Sequence, residues 1–154
     1  MNCLNENIQH FMQQALVLAE LAYAKNEIPV GAVVVKDKKI IGKGFNQVIE
    51  KKSVVAHAEI NAILDASKNE NNYRLINCDL YVTLEPCHMC AKAIVDARLN
   101  FLYFGAYEPK TGAIQSIDQF LNRGDLNHKV GFSGGHMAQR SSDLMKDFFR
   151  LRRQ

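Results

Sequence analysis

Two short runs of metal-binding residues constrain how this chain folds, because they lie far apart in the sequence and must meet. The first run contains His57, and the second contains Cys87 and Cys90. One imidazole and two thiolates are a donor set that suits zinc. Three protein ligands leave the fourth tetrahedral position free, as in catalytic zinc sites, where a bound water is acidified to a pKa of about 7.

The spacing around these residues predicts two helix starts that face one ion. Cys87 and Cys90 are three residues apart, so on a helix both point to the same side. Pro86 directly before them is a favourable first helical residue, and a helix N-terminus stabilises a thiolate. His57 precedes an apolar-periodic run and is expected to open a helix of its own.

Glu59 lies two residues after His57 and is expected to act as a proton carrier. A carboxylate beside the acidified water can take its proton and pass it on. A closed structural zinc site is the alternative, and its fourth ligand would be His88 or Cys78. That alternative gives Glu59 no role, so we prefer the open, catalytic type of site.

Size and composition predict one globular domain, residues 1–154, in a reducing compartment. A chain of 154 residues that is 47% apolar can bury one core. No apolar run is long enough to cross a bilayer, and the polar segment 1–9 is unlike a signal peptide. We therefore expect a cytoplasmic protein with no membrane partner. The remaining thiols, Cys3 and Cys78, are tolerated there, and Cys78 is expected to be a small buried residue.

The C-terminal segment, residues 146–154, is the most basic part of the chain. Against the single acid Asp147 it places two phenylalanines and four cations, which are Phe148, Phe149, Lys146, Arg150, Arg152 and Arg153. Positive charge beside aromatic rings suits single-stranded nucleic acid. A solubilising helix end with favourable cations near its C-terminus explains the composition equally well. The net charge of +3 is too small to decide between the two.

Apolar periodicity predicts helices that alternate with short strands. The predicted helices are 5–25, 57–67, one from Cys87 onward, a short one at 117–121 and a last one at 136–152. The predicted strands are 30–36, 40–46, 78–84, 99–104 and 128–132, of which the first two form a hairpin and the fourth is central. Gly42 and Gly44 are expected to loosen the second strand. This alternation predicts a layered α/β domain.

Three features outside the metal site indicate a contact with a ligand, a functional loop and a packing face. Asn46, at the exit of the second strand, can read a base edge through its amide, although a turn-forming asparagine is the more common explanation. The loop 105–116 is too long to be only a connector. The last helix is expected to pack through an apolar face of Leu144, Met145, Phe148 and Leu151.

Several longer stretches match a known family piece by piece. The metal pieces are H-x-E at 57–59, within 56–60, and P-C-x-x-C at 86–90, preceded by 81–85. Other matching pieces are 29–33, 44–46, 104–106 and 110–113, and those typical of the RNA-acting branch are 127–128, 147–150 and 152–153. On these pieces the chain resembles the bacterial tRNA-specific adenosine deaminases, within the cytidine deaminase-like superfamily. It departs from them at His88, which we expect on the helix surface, and at Lys92, 107–109 and Gln115.

The resemblance implies a three-layer α/β/α cytidine deaminase-like fold, with a five-stranded mixed sheet flanked by helices. It implies a single zinc-dependent deaminase domain that converts adenosine to inosine at the wobble position of a tRNA anticodon. It assigns His57, Cys87 and Cys90 to one Zn2+ per subunit and Glu59 to the proton shuttle. The implied partners are a tRNA anticodon stem-loop and a second copy, in a homodimer. The residues placed near the substrate are Glu27, Val30, Asn46, Leu84, Glu108, Lys110, Phe149, Arg152 and Arg153.

Two other functions use the same residues. A free-base or nucleoside deaminase, acting on guanine or cytosine, would use the same zinc chemistry but would not need the basic, aromatic C-terminal segment. A non-catalytic zinc fold that binds RNA would keep its function after Glu59→Gln. An enzyme would lose turnover and keep its metal.

Overall fold

The computed structural model describes residues 3–152, which fold around one five-stranded sheet. The helices are α1 (Cys3–Ala24), α2 (Ala58–Glu70), α3 (His88–Asp96) and α4 (Ala138–Arg152), with a 3₁₀ turn at Phe120–Asn122. The strands are β1 (Gly31–Lys36), β2 (Lys39–Phe45), β3 (Asp79–Leu84), β4 (Phe101–Ala106) and β5 (Gly131–Ser133). These bounds confirm the predicted alternation, although β5 has only three residues and the short helix is a 3₁₀ turn that begins later than expected.

The strand order brings three strand ends to one edge of the sheet. The order is β2-β1-β3-β4-β5; β1 is antiparallel to both of its neighbours, and β3, β4 and β5 are parallel. The start of β1 therefore lies beside the end of β2, where Gly31 pairs with Phe45, and beside the end of β3. Val30, Asn46 and Leu84 consequently gather at this edge, next to the start of α3.

Side chains alternate between the two faces of the sheet and build a core on each face. The sheet residues that pack against α1 are Val33, Val35, Tyr81 and Tyr103. Their neighbours Ala32, Val34, Leu80 and Val82 belong to the core that α2 and α3 cover. α4 packs on β4 and meets α1, where the ring centroids of Tyr23 and Phe148 lie 5.6 Å apart. The three-layer α/β/α fold with a mixed five-stranded sheet is confirmed.

Two helices, α2 and α4, expose apolar side chains that the sequence pattern would bury. Leu64, in the apolar-periodic run that follows His57, is 61% exposed, and α2 packs mainly through small side chains such as Ala62 and Ala66. At the end of α4, Leu151 is exposed, and the helix is anchored by Phe148.

Gly42 and Gly44 allow α2 to pack directly on β2, a contact that the sequence pattern did not indicate. The expected loosening of the strand stays a prediction, although the β1–β2 register shifts between Val34 and Val35, next to the Val34–Gly42 pair. A Cβ on Gly44 would lie 2.4 Å from the carbonyl oxygen of Ala58. A Cβ on Gly42 would lie 2.5 Å from the carbonyl oxygen of Ala62. Because these contacts are with helix backbone, a side chain cannot be added without moving the whole helix.

Gly44→Ala is expected to lower the free energy of unfolding by about 1–3 kcal/mol, because the added methyl group must displace α2. Gly124→Ala is the matched control, since nothing lies within 4 Å of the Cβ that it would add. Urea denaturation of the two variants measures the difference. Equal stability would contradict the close packing of α2 on β2.

Candidate active site

The predicted metal donors meet where two helices begin at the edge of the sheet. His57 immediately precedes α2, Cys87 immediately precedes α3, and Cys90 lies buried in the first turn of α3. His57 Nδ1 lies 3.7 Å from Cys87 Sγ and 3.5 Å from Cys90 Sγ. The three donor atoms all lie within 4.8 Å of one another, so the fold brings both halves of the sequence pattern together.

The spacing of these donors fits one zinc ion. Tetrahedral zinc, with bonds of about 2.0–2.1 Å to nitrogen and about 2.3 Å to sulfur, holds a nitrogen and a sulfur ligand roughly 3.6 Å apart. The two nitrogen–sulfur distances, 3.7 and 3.5 Å, lie on either side of that value. Within residues 3–152, no further His, Cys, Asp or Glu belongs to the cluster. The centre therefore offers three ligands, as catalytic zinc sites do.

Both residues considered as a fourth ligand are engaged elsewhere. His88 Nε2 lies 2.8 Å from Asp118 Oδ2, and both side chains are about half exposed, so His88 is on the helix surface as expected. Cys78 is buried just before β3, and its thiol donates a hydrogen bond to the carbonyl oxygen of Ile76. The described residues thus give no support to the closed structural site.

The two thiols of the centre are electrostatically coupled. Hydrogen bonding from Cys90, together with that from His57, lowers the pKa of Cys87 to about 3. The hydrogen bond to Cys87 and burial raise the pKa of Cys90 far above its ordinary value. One thiolate thus opposes the formation of a second, and a divalent cation removes that opposition because it binds both sulfurs deprotonated. The donor set has the chemistry of a divalent-cation site.

Glu59 stands beside these donors in the first turn of α2 and is only 5% exposed. Burial raises the pKa of Glu59 to about 7. Its carboxyl hydrogen-bonds with Cys90 and faces the same cavity as His57 and Cys87. Because burial raises the pKa of this carboxyl, it holds a proton more readily than an exposed glutamate does, which suits general acid–base catalysis.

A cavity of about 210 Å³, which we call the first cavity, opens directly on Glu59 and on two of the metal donors, His57 and Cys87. An engineered cavity of about 150 Å³ holds one benzene ring, so a space of this size suits one planar heterocycle. Of the residues predicted near the substrate, the first cavity is lined by Val30, Asn46, Leu84, Glu108 and Phe149. Strand ends supply the first three, as the strand order requires.

Asn46 presents its side chain to the first cavity. Its backbone N–H donates to the carbonyl oxygen of Val30 at 3.1 Å, which fixes the residue at the exit of β2. Asn46 is 7% exposed, and its side-chain amide has no hydrogen-bond partner among residues 3–152. The amide is not among the fully enclosed polar groups of residues 3–152 that lack a partner, so it is open to the cavity, where a ligand can bond to it.

Glu27 does not line the first cavity, so the structure does not bring it to the other residues predicted near the substrate. Its buried carboxylate accepts hydrogen bonds from the backbone N–H groups of Ile49, at 3.1 Å, and Glu50, at 2.8 Å. Both donors lie in the segment that joins β2 to α2, between Asn46 and His57. Glu27 therefore holds that segment in place.

A second cavity, of about 860 Å³, adjoins the first on the side of α4. Leu84, Glu108 and Phe149 line both cavities, which makes them one continuous surface. Lys110 lines only the second cavity, and its backbone N–H donates to Glu108 Oε1 at 3.0 Å. Arg152 lines neither, because its guanidinium lies over the Phe148 ring, 4.5 Å from the centroid. Arg153 lies outside the described residues.

Glu85 is a further wall residue of the first cavity, and the sequence patterns assigned no role to it. Burial by itself would raise its pKa, but hydrogen bonds from Ser116, Gln115 and Glu108 lower the pKa below the ordinary value, so the group stays ionised. The sequence feature that could have identified Glu85 is its position, since it is an acid between an apolar strand and the Pro86-Cys87 pair. Thr111 and Met145 also line the cavity. Thr111 lies in the matching piece 110–113 and Met145 on the predicted apolar face of the last helix, but neither was assigned to the substrate.

The sequence and the fold are similar to those of several known proteins. Residues 5–106 match the family described as the cytidine and deoxycytidylate deaminase zinc-binding region. A tRNA-specific adenosine deaminase of Haemophilus influenzae is 47% identical over 147 residues, which cover 95% of this chain and 85% of the relative. One from Streptococcus pyogenes serotype M1 is 42% identical over 149 residues, covering 97% and 87%. A solved structure from studies of A-to-I editing by tRNA:A34 deaminases at the wobble position of transfer RNA has a TM-score of 0.85 at 42% identity, covering 88% of this chain and 98% of that one.

Proposed function

Because this chain belongs to the tRNA-specific adenosine deaminases, within the cytidine and deoxycytidylate deaminase zinc-binding family, we propose that it converts adenosine to inosine at the wobble position of a tRNA anticodon. The observation that carries the proposal is the buried carboxyl of Glu59 beside a three-donor metal centre at the wall of one cavity. The site thus combines a proton carrier, a metal centre and room for one base.

Glu59 moves the protons of the reaction. A zinc ion held by His57, Cys87 and Cys90 supplies Lewis acidity, which makes water a nucleophile near neutral pH. As the water attacks C6 of adenine, Glu59 takes one of its protons and gives it to the ring nitrogen. It then transfers the second proton to the amino group, which leaves as ammonia, so that one water is consumed and the carboxyl returns to its starting state.

The walls of the first cavity position the base for this attack. Val30 and Leu84 supply apolar surface at the sheet edge, which suits the faces of a planar ring. The amide of Asn46 offers both a donor and an acceptor to the edge of the base. Because the cavity is only large enough for one ring system, the remainder of the RNA must lie outside it.

We place the anticodon stem-loop on the second cavity and the adjoining side of α4. Bases of an RNA loop are already partly unstacked, so one of them can enter a pocket without the opening of a duplex. The second cavity carries Lys110, Lys146 and Arg150, which can neutralise phosphates, and the partly exposed ring of Phe149 can stack on a neighbouring base.

Inosine formation on a synthetic anticodon stem-loop with adenosine at the wobble position tests this proposal. We expect zinc-dependent conversion of that RNA and no reaction of free guanine, cytosine or adenosine. The control RNA carries guanosine at the same position. Deamination of a free base, with the stem-loop unchanged, would instead support the free-base or nucleoside deaminase.

Removal of residues 146–154 would not be a clean test of RNA binding, because it deletes Phe148. That side chain is 6% exposed and packs against Tyr23, so its loss would damage the fold. Single surface cations are the better probes.

Lys146→Gln is expected to raise the KM for the stem-loop about 3- to 10-fold and to reduce the salt dependence of binding by about one unit of slope. Lys146 is exposed at the second cavity and has no ion pair among residues 3–152. The matched control is Lys129→Gln, since Lys129 precedes the parallel strand β5 and so lies toward the opposite edge of the sheet. Equal salt slopes for both variants would contradict RNA binding at the second cavity.

Three further properties stay predictions. A homodimer is expected from family membership and is measurable by light scattering. A single domain and a cytoplasmic location agree with a tRNA substrate and with free thiols at Cys3 and Cys78. Among the helices of residues 3–152, none combines the length and apolar character needed to cross a bilayer.

A further inference from the structure

The carboxylate of Glu85 accepts hydrogen bonds from both ends of the loop that forms part of the wall of the first cavity. The loop, residues 107–116, follows β4, and Glu85 follows β3 beside it. Glu85 Oε1 accepts the backbone N–H of Glu108 at 3.0 Å and the hydroxyl of Ser116. Glu85 Oε2 accepts the backbone N–H groups of Ile114, Gln115 and Ser116 at 3.1, 2.7 and 2.9 Å. Five donors from one loop thus converge on a single buried side chain.

The loop is wrapped tightly around this carboxylate. A Cβ on Gly112 would lie 2.4 Å from the carboxyl carbon and from Oε1 of Glu85, so only glycine fits there. The backbone N–H of Ala113 donates to the carbonyl oxygen of Pro86 at 2.8 Å, which ties the loop to the residue before Cys87. The position of the loop is therefore set from the junction of β3 and α3.

The hydrogen bonds leave Glu85 no capacity to act on a substrate. A carboxylate has about four lone-pair sites, and the five donors of the loop already use them all. Although Glu85 lines the first cavity, it has no free acceptor for a proton or a base edge. Its contribution must pass through the loop, whose Glu108 and Thr111 form part of the cavity wall.

We propose that Glu85 is the positioning residue that holds the 107–116 loop against the substrate, so that the carboxylate governs binding of the RNA and takes no part in proton transfer. The inference rests on the proposed function for its substrate. The loop carries Glu108 and Thr111 at the first cavity and Lys110 at the second, so one side chain places contacts in both. Contacts of this kind stabilise the bound substrate and the transition state by the same amount. Their loss therefore raises KM and leaves kcat nearly unchanged.

Glu85→Gln is the variant that tests the proposal, because it keeps the size of the side chain and removes an acceptor. Whichever way the amide is oriented, its NH₂ group faces at least one backbone N–H that has lost its acceptor. We expect the KM for the stem-loop to rise about 10- to 100-fold, with kcat changed less than about 3-fold and one zinc retained per chain. Hydrogen exchange should accelerate at the amides of residues 108 and 114–116, and stay unchanged in α3.

The control is Asp79→Asn, which removes a carboxylate from the other end of the same strand. Asp79 hydrogen-bonds with Asn100, across the neighbouring strand end, and touches neither cavity. It should leave KM and loop exchange unchanged. Ser116→Ala removes one of the five donors and keeps the carboxylate, so a smaller KM rise in the same direction is expected even if Glu85→Gln does not fold.

Three results would overturn the assignment. A fall in kcat at constant KM would place Glu85 in the chemical step, loss of zinc would make it a support for Cys87, and unchanged exchange would show that it does not hold the loop. The exchange measurement needs no substrate, and the unaltered chain is assayed for inosine formation first. Failure of the proposed function and failure of this inference are therefore separate outcomes.

Discussion

Glu59→Gln is expected to abolish turnover while the metal centre stays loaded. The amide keeps the size of the side chain but cannot carry a proton, and positioned general acid–base groups contribute about 10²–10⁴-fold to a rate. Because Glu59 would serve both proton transfers, we expect kcat to fall by at least about 10³-fold. The donor cluster contains His57, Cys87 and Cys90 without Glu59, so zinc should remain at one per chain. Inosine formation under single-turnover conditions and metal analysis of the same sample measure the two quantities.

Asp65→Asn is the matched control for this variant. Asp65 lies on the same helix, but its carboxylate accepts the backbone N–H of Lys43 at 2.9 Å and faces away from both cavities. It should retain full turnover. Normal activity of Glu59→Gln would support the non-catalytic, RNA-binding zinc fold. Loss of its zinc would show that Glu59 is a ligand, and the mechanism would then be wrong.

The metal centre was predictable from sequence because its geometry is largely local. Cys87 and Cys90 are joined by one helical turn, and His57 stands directly before its own helix, so each half of the site is fixed by a few neighbouring residues. The β1–β2 hairpin was equally local and is confirmed. The remaining strand order joins residues far apart in the chain, and here only the family resemblance gave the correct architecture.

Two of the buried acids, Glu27 and Glu85, have partners that sequence patterns do not reveal. Glu27 and Glu85 are each held by backbone N–H groups of a loop that lies more than twenty residues away. Such donors exist in every residue, so no motif marks them, and a carboxylate at the end of an element is more often solvated. The packing role of Gly42 and Gly44 is absent from the sequence pattern for a similar reason, because it depends on which helix lies against β2.

Cys90→Ala is expected to remove both the zinc and the activity, and Cys78→Ala neither. Both cysteines are fully buried and neither forms a disulfide, so the two substitutions delete the same group from similar surroundings. Only Cys90 belongs to the donor cluster. A structural zinc ion binds with a free energy of about 10–16 kcal/mol through four ligands, or roughly 3 kcal/mol for each ligand. The loss of one ligand should therefore lower the zinc affinity at least about 10²-fold.

A chelator separates the loss of metal from the loss of packing in these variants. Zinc that binds only the folded chain stabilises it, so chelation should lower the melting temperature of the unaltered protein and of Cys78→Ala. Cys90→Ala should show a much smaller shift with chelator, since it binds zinc at least about 10²-fold more weakly and gains correspondingly less stability from it. If chelation lowered all three melting temperatures equally, Cys90 would not be a ligand. The open centre, on which the role of Glu59 depends, would then need a different third donor.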